Sequence, residues 1–139
     1  MPIPPALRRL IAARDKGRCA YCLTTEENCG LRMHIDHIIP ESADGPTAPD
    51  NLCSICFSCN VYKSAQQIGI DPSTEESAPL FHPLQQRWED HFDWDESKTQ
   101  IVGLTPTGRA TVVALQLNNL IVVRARRRWV SAGWHPPKA

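Results

Sequence analysis

The sequence predicts an α+β fold built from short strands and helices. Three features carry that prediction. A segment of alternating character, LRMHIDHII (31–39), reads as a strand. Stretches with helical periodicity and punctuated ends lie at the two ends of the chain. Two Cys-x-x-Cys pairs bracket the strand. The 139 residues suit one domain with a small core, and the 12 prolines imply short elements and many loops.

In chain order, PALRRLIAARDK (5–16) is the first helix. Pro4 and Pro5 suit its start, Gly17 suits a left-handed stop, and Leu7, Leu10 and Ile11 form the apolar stripe. RCAYCL is a tight turn around the first cysteine pair. In the strand, Leu31, Met33 and Ile35 alternate with Arg32, His34 and Asp36. PESADGPTAPDN has the composition of a loop, and NLCSICFSCNVYKSAQ brings the second pair and a helix starting near Cys59 or Asn60. GIDPSTEESAPL (69–80) reads as an exposed acidic linker, and TQIVGL (99–104) as a strand. TPTGRATVVALQL is a helix with Thr105 as N-cap and Pro106 at its first position. A last helix runs from Asn118 or Asn119 to near Gly133. Val122, Ala125 and Trp129 share one face, and Arg124, Arg127, Arg128 and Ser131 the other. The expected organisation is a core at 1–68, the linker at 69–80, and an α/β extension at 81–139 packed on the core as one domain.

Fifteen basic and fifteen acidic residues cancel, which excludes a protein held on nucleic acid by bulk charge alone. The distribution is uneven. Residues 71–96 hold eight acids and one base, while residues 108–139 hold six bases and no acid, four of the bases in RARRR (124–128). Arg8, Arg9, Arg14 and Arg18 offer a second basic patch. No apolar run approaches the ~18 residues of a membrane span, and the N-terminus lacks the apolar core of an export signal, so a cytoplasmic location is expected.

There are six cysteines. Without an export signal, paired Cys-x-x-Cys units point to zinc rather than disulfides. The best ligand set is Cys19, Cys22, Cys56 and Cys59, whose 33-residue gap must hold a folded insertion containing the histidines. Cys53–Cys56 is also a Cys-x-x-Cys, and Cys29 lies close in sequence. The favoured reading of Cys29 and Cys53 is small buried apolar residues.

Among and beside these cysteines lie His34, Asp36, His37, Asn51, Asn60 and Lys63: HIDHIIP, a loop, Asn-Leu, then Cys-x-x-Cys-Asn and a lysine. This order, over residues 14–64, resembles the HNH endonuclease family, in its zinc-containing subgroup of stand-alone bacterial or phage type. LFHP, RWEDHF, GLTPTGRA and WVSAGWHP resemble segments that follow such cores, without a motif of known chemistry. The resemblance implies a ββα-metal nuclease core: two antiparallel strands and a helix around a catalytic ion. By position, Asp36 is then a metal ligand, His37 the general base, and Asn51 the residue that steadies the loop and the histidine. Asn60 is a second ligand where many members carry histidine. Two oxygen ligands suit Mg²⁺ or Mn²⁺, and the implied products are a 5′-phosphate and a 3′-hydroxyl.

The chemistry agrees with these residue types. A neutral histidine with a free pKa of about 6.5 takes a proton from water near neutrality. A divalent ion neutralises the phosphate and the leaving oxygen. His34, on the same strand face as Asp36, stays open as a third metal ligand, a phosphate contact or a bystander. Lys63 is either a phosphate contact or a solvated lysine, and Arg124, Arg127 and Arg128 either track DNA or form a solvated helix face. His82, His91 and His135 read as structural. One difficulty is geometric: adjacent strand residues Asp36 and His37 point to opposite faces unless the strand ends there, which Pro40 favours.

The function expected is therefore a metal-dependent DNA endonuclease or nickase, with Zn²⁺ structural and Mg²⁺ or Mn²⁺ catalytic. Balanced charge points to weak intrinsic DNA affinity and to help from a protein partner or a homodimer. Two other readings are a non-catalytic zinc-stabilised nucleic-acid-binding module, and a protein-interaction domain using Trp88, Trp94, Trp129 and Trp134.

Overall fold

The computed structural model describes residues 2–137. Helix α1 (Pro5–Asp15) opens with proline at its first position. Its left-handed stop falls at Lys16, one residue before the expected glycine, with φ of 57°. Ile11 is fully buried, and with Ile3 and Leu7 it packs on Leu52 and Ile35. Leu10 stays 53% exposed and is not part of the stripe. Arg14 is not free for a basic patch: it pairs with Asp15 and donates to the carbonyls of Pro49 and Leu52.

A knuckle carries Cys19 and Cys22, and helix α2 (Glu26–Cys29) follows, capped by Thr25. Strand β1 (His34–His37) pairs antiparallel with β2 (Leu52–Ile55), in the register His34↔Ile55, Asp36↔Cys53 and His37↔Leu52. The strand is shorter than the alternating pattern, because residues 31–33 form no ladder with β2. Helix α3 (Phe57–Lys63) starts earlier than expected. Cys56 caps it, its sulfur accepting the Cys59 N–H at 3.4 Å. β1, β2 and α3 form the predicted ββα unit.

Residues 69–80 are not an exposed linker. Strands β3 (Ile68–Ile70) and β4 (Ser77–Pro79) make a hairpin whose turn is organised by buried Asp71. Its carboxylate accepts from the Ser73 N–H and the Thr74 hydroxyl. It also takes a bidentate pair of bonds from Arg109, 2.9 Å each. The Arg109 bonds hold Asp71 at about 2, below the ordinary 3.8, with burial opposing them. The unfolded chain therefore binds more protons than the folded one between these values, so this stabilisation is complete above 3.8 and is lost as pH falls toward 2. The expected result is a lower thermal midpoint for Asp71→Asn at neutral pH, with the gap to wild type closing as the acid range is entered. A gap independent of pH contradicts the assignment.

The extension continues with α4 (Trp88–His91) and antiparallel β5 (Phe92–Trp94) and β6 (Ile101–Gly103). In α5 (Pro106–Ala114), Thr105 caps the Gly108 N–H at 3.0 Å. The two glycines of GLTPTGRA have a packing role. A methyl on Gly108 would overlap the His91 carbonyl, and one on Gly103 would overlap the α5 backbone at Arg109. In α6 (Leu120–Ser131), Asn119 caps the Val122 N–H at 3.1 Å. Its buried stripe is Val123, Arg126 and Trp129, so an arginine goes inside where Ala125 was expected. Arg126 donates to the carbonyls of Thr99 and Leu117 and to Asn118, and its guanidinium lies 5.2 Å from the Trp94 ring centre.

One apolar core joins the two parts: Cys19, Tyr21, Ile55 and Cys59 pack with Phe81, Phe92, Ile101, Leu115 and Leu117. Trp88 donates to the Tyr21 carbonyl at 2.8 Å, stacks with Phe92 and Trp94, and helps lock the extension to the knuckle. Of the four tryptophans only Trp134 is largely exposed, at 63%, which removes the basis for a tryptophan-lined interaction surface. Among the described residues no helix is long and apolar enough to cross a membrane.

Candidate active site

Two features organise the site. The first is the cysteine cluster. The sulfurs of Cys19, Cys22, Cys56 and Cys59 all lie within 4.8 Å of one another and are buried. A tetrahedral zinc with Zn–S of about 2.3 Å needs sulfur–sulfur edges of about 3.8 Å; the Cys22–Cys56 edge is 3.6 Å. The set fits a zinc ion. Burial raises the Cys19 thiol, yet hydrogen bonds from Cys22, Cys56 and Cys59 outweigh it and draw Cys19 well below its ordinary value. The same mutual bonds raise Cys22 and Cys59 well above theirs, so a bound metal would have to displace those protons. Cys53 and Cys29 stand outside it. Cys53 is buried near Asp36 and Tyr21, and Cys29 is half-exposed, bonded to the Leu31 carbonyl.

The second is the end of β1. Its two faces differ. His34 and Asp36, with Ile55 and Cys53 opposite, look toward α3; Ile35, on the other face, packs with Leu52 against α1. His34 is exposed, its ring 6.1 Å from that of Phe57 in α3. Asp36 is 6% exposed and pairs with Lys63 at the last turn of α3, Oδ2 to Nζ 3.0 Å. The Tyr21 hydroxyl donates to the same oxygen at 3.4 Å. Asp36 Oδ1 accepts no hydrogen bond from any described residue, which leaves it available as a ligand oxygen. Burial pushes the Asp36 carboxyl up from its ordinary value, opposed by the Lys63 charge, the hydrogen bonds from Lys63 and Tyr21, and the charge of His37. Asn60, half-buried, lies in α3 between Phe57 and Lys63, on the helix that flanks His34 and Asp36. Among the described residues the four cysteines are the only cluster of three or more His, Cys, Asp or Glu donors.

Lys63 is not a surface lysine. It is 1% exposed, and its ammonium also reaches the carbonyls of His37 at 3.4 Å and Ile38 at 3.3 Å. The role expected of it, contact with an incoming phosphate, does not fit a side chain enclosed in this way.

His37 is the last residue of β1. Its Nε2 meets the Thr47 hydroxyl at 2.9 Å and the Glu41 carboxylate at 3.3 Å, both from the loop after Pro40. Buried Asn51 holds that loop: its amide oxygen accepts the Ile39 N–H, and its amide nitrogen donates to the carbonyls of Ile39 and Pro46. Gly45 lets the loop close, since a side chain there would overlap the Ile39 carbonyl. Sequence reading missed Glu41, Thr47 and Tyr21. The Asp-Gly pair at 44–45 signals the turn that delivers Glu41 and Thr47; nothing local signals Tyr21.

The remaining histidines serve the fold. His82 Nδ1 accepts the Leu84 N–H, His91 bonds to Thr105, and His135 packs between Trp94 and Trp129. Arg124, Arg127 and Arg128 are exposed on α6. Arg128 borders a groove of about 520 Å³ between α3 and α6, floored by Phe57, Val61, Ile121 and Val122.

Residues 19–66 match the family model described as HNH endonuclease. Among curated proteins, the chain is 30% identical over 145 residues to the Septu protein PtuA of Bacillus mycoides (strain KBAB4), an alignment covering 86% of this chain and 20% of that protein. The chain thus spans about a fifth of the length of the curated relative it matches. No solved structure matches it.

Proposed function

We propose, from the premise that residues 19–66 are an HNH endonuclease domain, that the chain is a metal-dependent DNA endonuclease or nickase. The observation that carries the reading is His37 held by a loop that Asn51 pins in place, with Asp36 and Asn60 on the adjoining strand and helix. A binding module has no use for a histidine preorganised in this way.

When bound at Asp36 and Asn60, a divalent ion, Mg²⁺ or Mn²⁺, supplies charge for the phosphate and the leaving 3′ oxygen. The chain's residues do the rest. His37 takes a proton from the attacking water. With Nε2–H directed to Glu41 or Thr47, Nδ1 is the nitrogen left to receive it. Glu41 then faces the imidazolium that forms and offsets its charge. Asn51 keeps the loop from drifting. Arg124, Arg127 and Arg128 offer a basic helix face to the DNA backbone, and His34 stands exposed beside Asp36 where a phosphate passes. Zinc in the cysteine cluster fixes the two ends of the insertion that carries these groups. Balanced charge supports a protein partner or a second copy that helps hold the DNA.

Incubation of zinc-loaded protein with supercoiled plasmid tests this. Open circles are expected in Mg²⁺ or Mn²⁺, with cleavage abolished by EDTA added at the start of the reaction. Plasmid and single-stranded DNA left intact under every metal condition would overturn the catalytic reading and favour the non-catalytic module.

A further inference from the structure

We infer that Lys63 is the positioning residue of this site: its buried ammonium turns the chain at the end of β1 and thereby sets His37 against its loop. The inference rests on the reading of His37 as the base.

Lys63 Nζ has three acceptors from three successive residues: Asp36 Oδ2 at 3.0 Å, the His37 carbonyl at 3.4 Å and the Ile38 carbonyl at 3.3 Å. In a regular strand successive carbonyls point to opposite edges. One ammonium cannot then serve two neighbours. Here it does, so the chain departs from strand geometry at His37–Ile38. The ladder agrees, since β1 ends at His37.

The turn falls where the strand has to end if the neighbours Asp36 and His37 are to serve one site. Asp36 keeps the α3 face, and the chain after His37 swings into the loop that returns Glu41 and Thr47 to the His37 ring. Three N–H groups and three acceptors leave the ammonium no free donor for phosphate. A lysine this enclosed is otherwise costly, which argues for a task that a smaller apolar residue cannot perform. The arrangement also links the two halves of the site. Cys56 and Cys59 fix the first turn of α3, and Lys63 is its last residue. The helix carries the placement of the cysteine cluster to the backbone of His37.

The test compares wild type with Lys63→Met, Asp36→Asn and the Asp36→Asn/Lys63→Met double variant, each checked for zinc content and thermal midpoint. In Lys63→Met, kcat for plasmid nicking is expected to fall about a hundredfold, the scale of a misplaced catalytic group, with KM for DNA within about twofold of wild type. The ring signals of His37, read by NMR with labelled histidine, are expected to move further in Lys63→Met and in the double variant than in Asp36→Asn alone, where only a neighbouring charge is lost. Should Lys63→Met lose its fold because Asp36 is left unpaired, the double variant, which removes both charges, carries the ring measurement. Wild-type ring signals in whichever Lys63 variant folds, or movement as large in Asp36→Asn alone, would overturn the inference. If wild type itself never cuts DNA, the nuclease reading fails, and the ring signals still decide the role of Lys63.

Discussion

His37→Ala is expected to lower the rate of DNA cleavage by about 10²–10⁴-fold, the usual contribution of a general base, while leaving the fold intact. The ring is 13% exposed, stands at the last position of β1, and bonds to the loop residues Thr47 and Glu41. Neither apolar cluster includes it. Truncation removes the proton acceptor without opening a cavity in the core. The loop keeps its shape because Asn51, not His37, holds Ile39 and Pro46. The expected signature is therefore a large loss in kcat, an unchanged thermal midpoint and unchanged zinc content. A comparable loss of stability would mean that His37 is structural. Glu41→Gln should show a smaller loss in rate, because it removes the counter-charge and not the base.

Cys59→Ser carries the largest expected effect on folding. Structural zinc contributes roughly 10–16 kcal/mol of apparent binding free energy in small metal domains, comparable to or larger than the ~5–15 kcal/mol net stability of an ordinary domain. Here the cluster is central. Cys19, Cys22, Cys56 and Cys59 all lie in the core that joins the ββα unit to the extension. Cys56 also caps α3, and α3 ends in Lys63. Loss of one ligand should unfold both parts together, seen as loss of near-ultraviolet circular dichroism and of bound zinc. A strong chelator acting on wild type should do the same. Cys29→Ser is the control: Cys29 is outside the cluster, bonded to the Leu31 carbonyl, so it should bind zinc and fold as wild type does. A folded Cys59→Ser protein with a wild-type midpoint contradicts the structural role of the metal.

The sequence made local chemistry legible. Thr105 and Asn119 cap α5 and α6 where side-chain acceptors precede apolar runs. The paired cysteines gave the cluster as the preferred set, although Cys53–Cys56 offered a second spacing. What escaped depends on partners far away in sequence. Asp71 read as part of a solvated acidic run because Arg109, which buries it, lies 38 residues on. Arg126 was assigned to neither face of its helix, and the carbonyls of Thr99 and Leu117, the Asn118 side chain and the Trp94 ring explain its burial. Lys63 read as a surface cation because nothing near it indicates that Asp36, 27 positions earlier, awaits it. Charged residues are the hardest to place from sequence: burial of a charge is decided by a partner, and the partner is chosen by the fold. The same holds at β1. Alternation posed the question of how the neighbours Asp36 and His37 share a site, and the contacts where the chain leaves the strand come from a lysine of another element.

The most direct measurement is the nicking rate of His37→Ala beside wild type on supercoiled plasmid in Mn²⁺ or Mg²⁺, each with and without added imidazole. The account predicts fast nicking by wild type, a rate near background for the variant, and partial recovery of the variant alone when imidazole replaces the missing base. Equal nicking by the two proteins would contradict it.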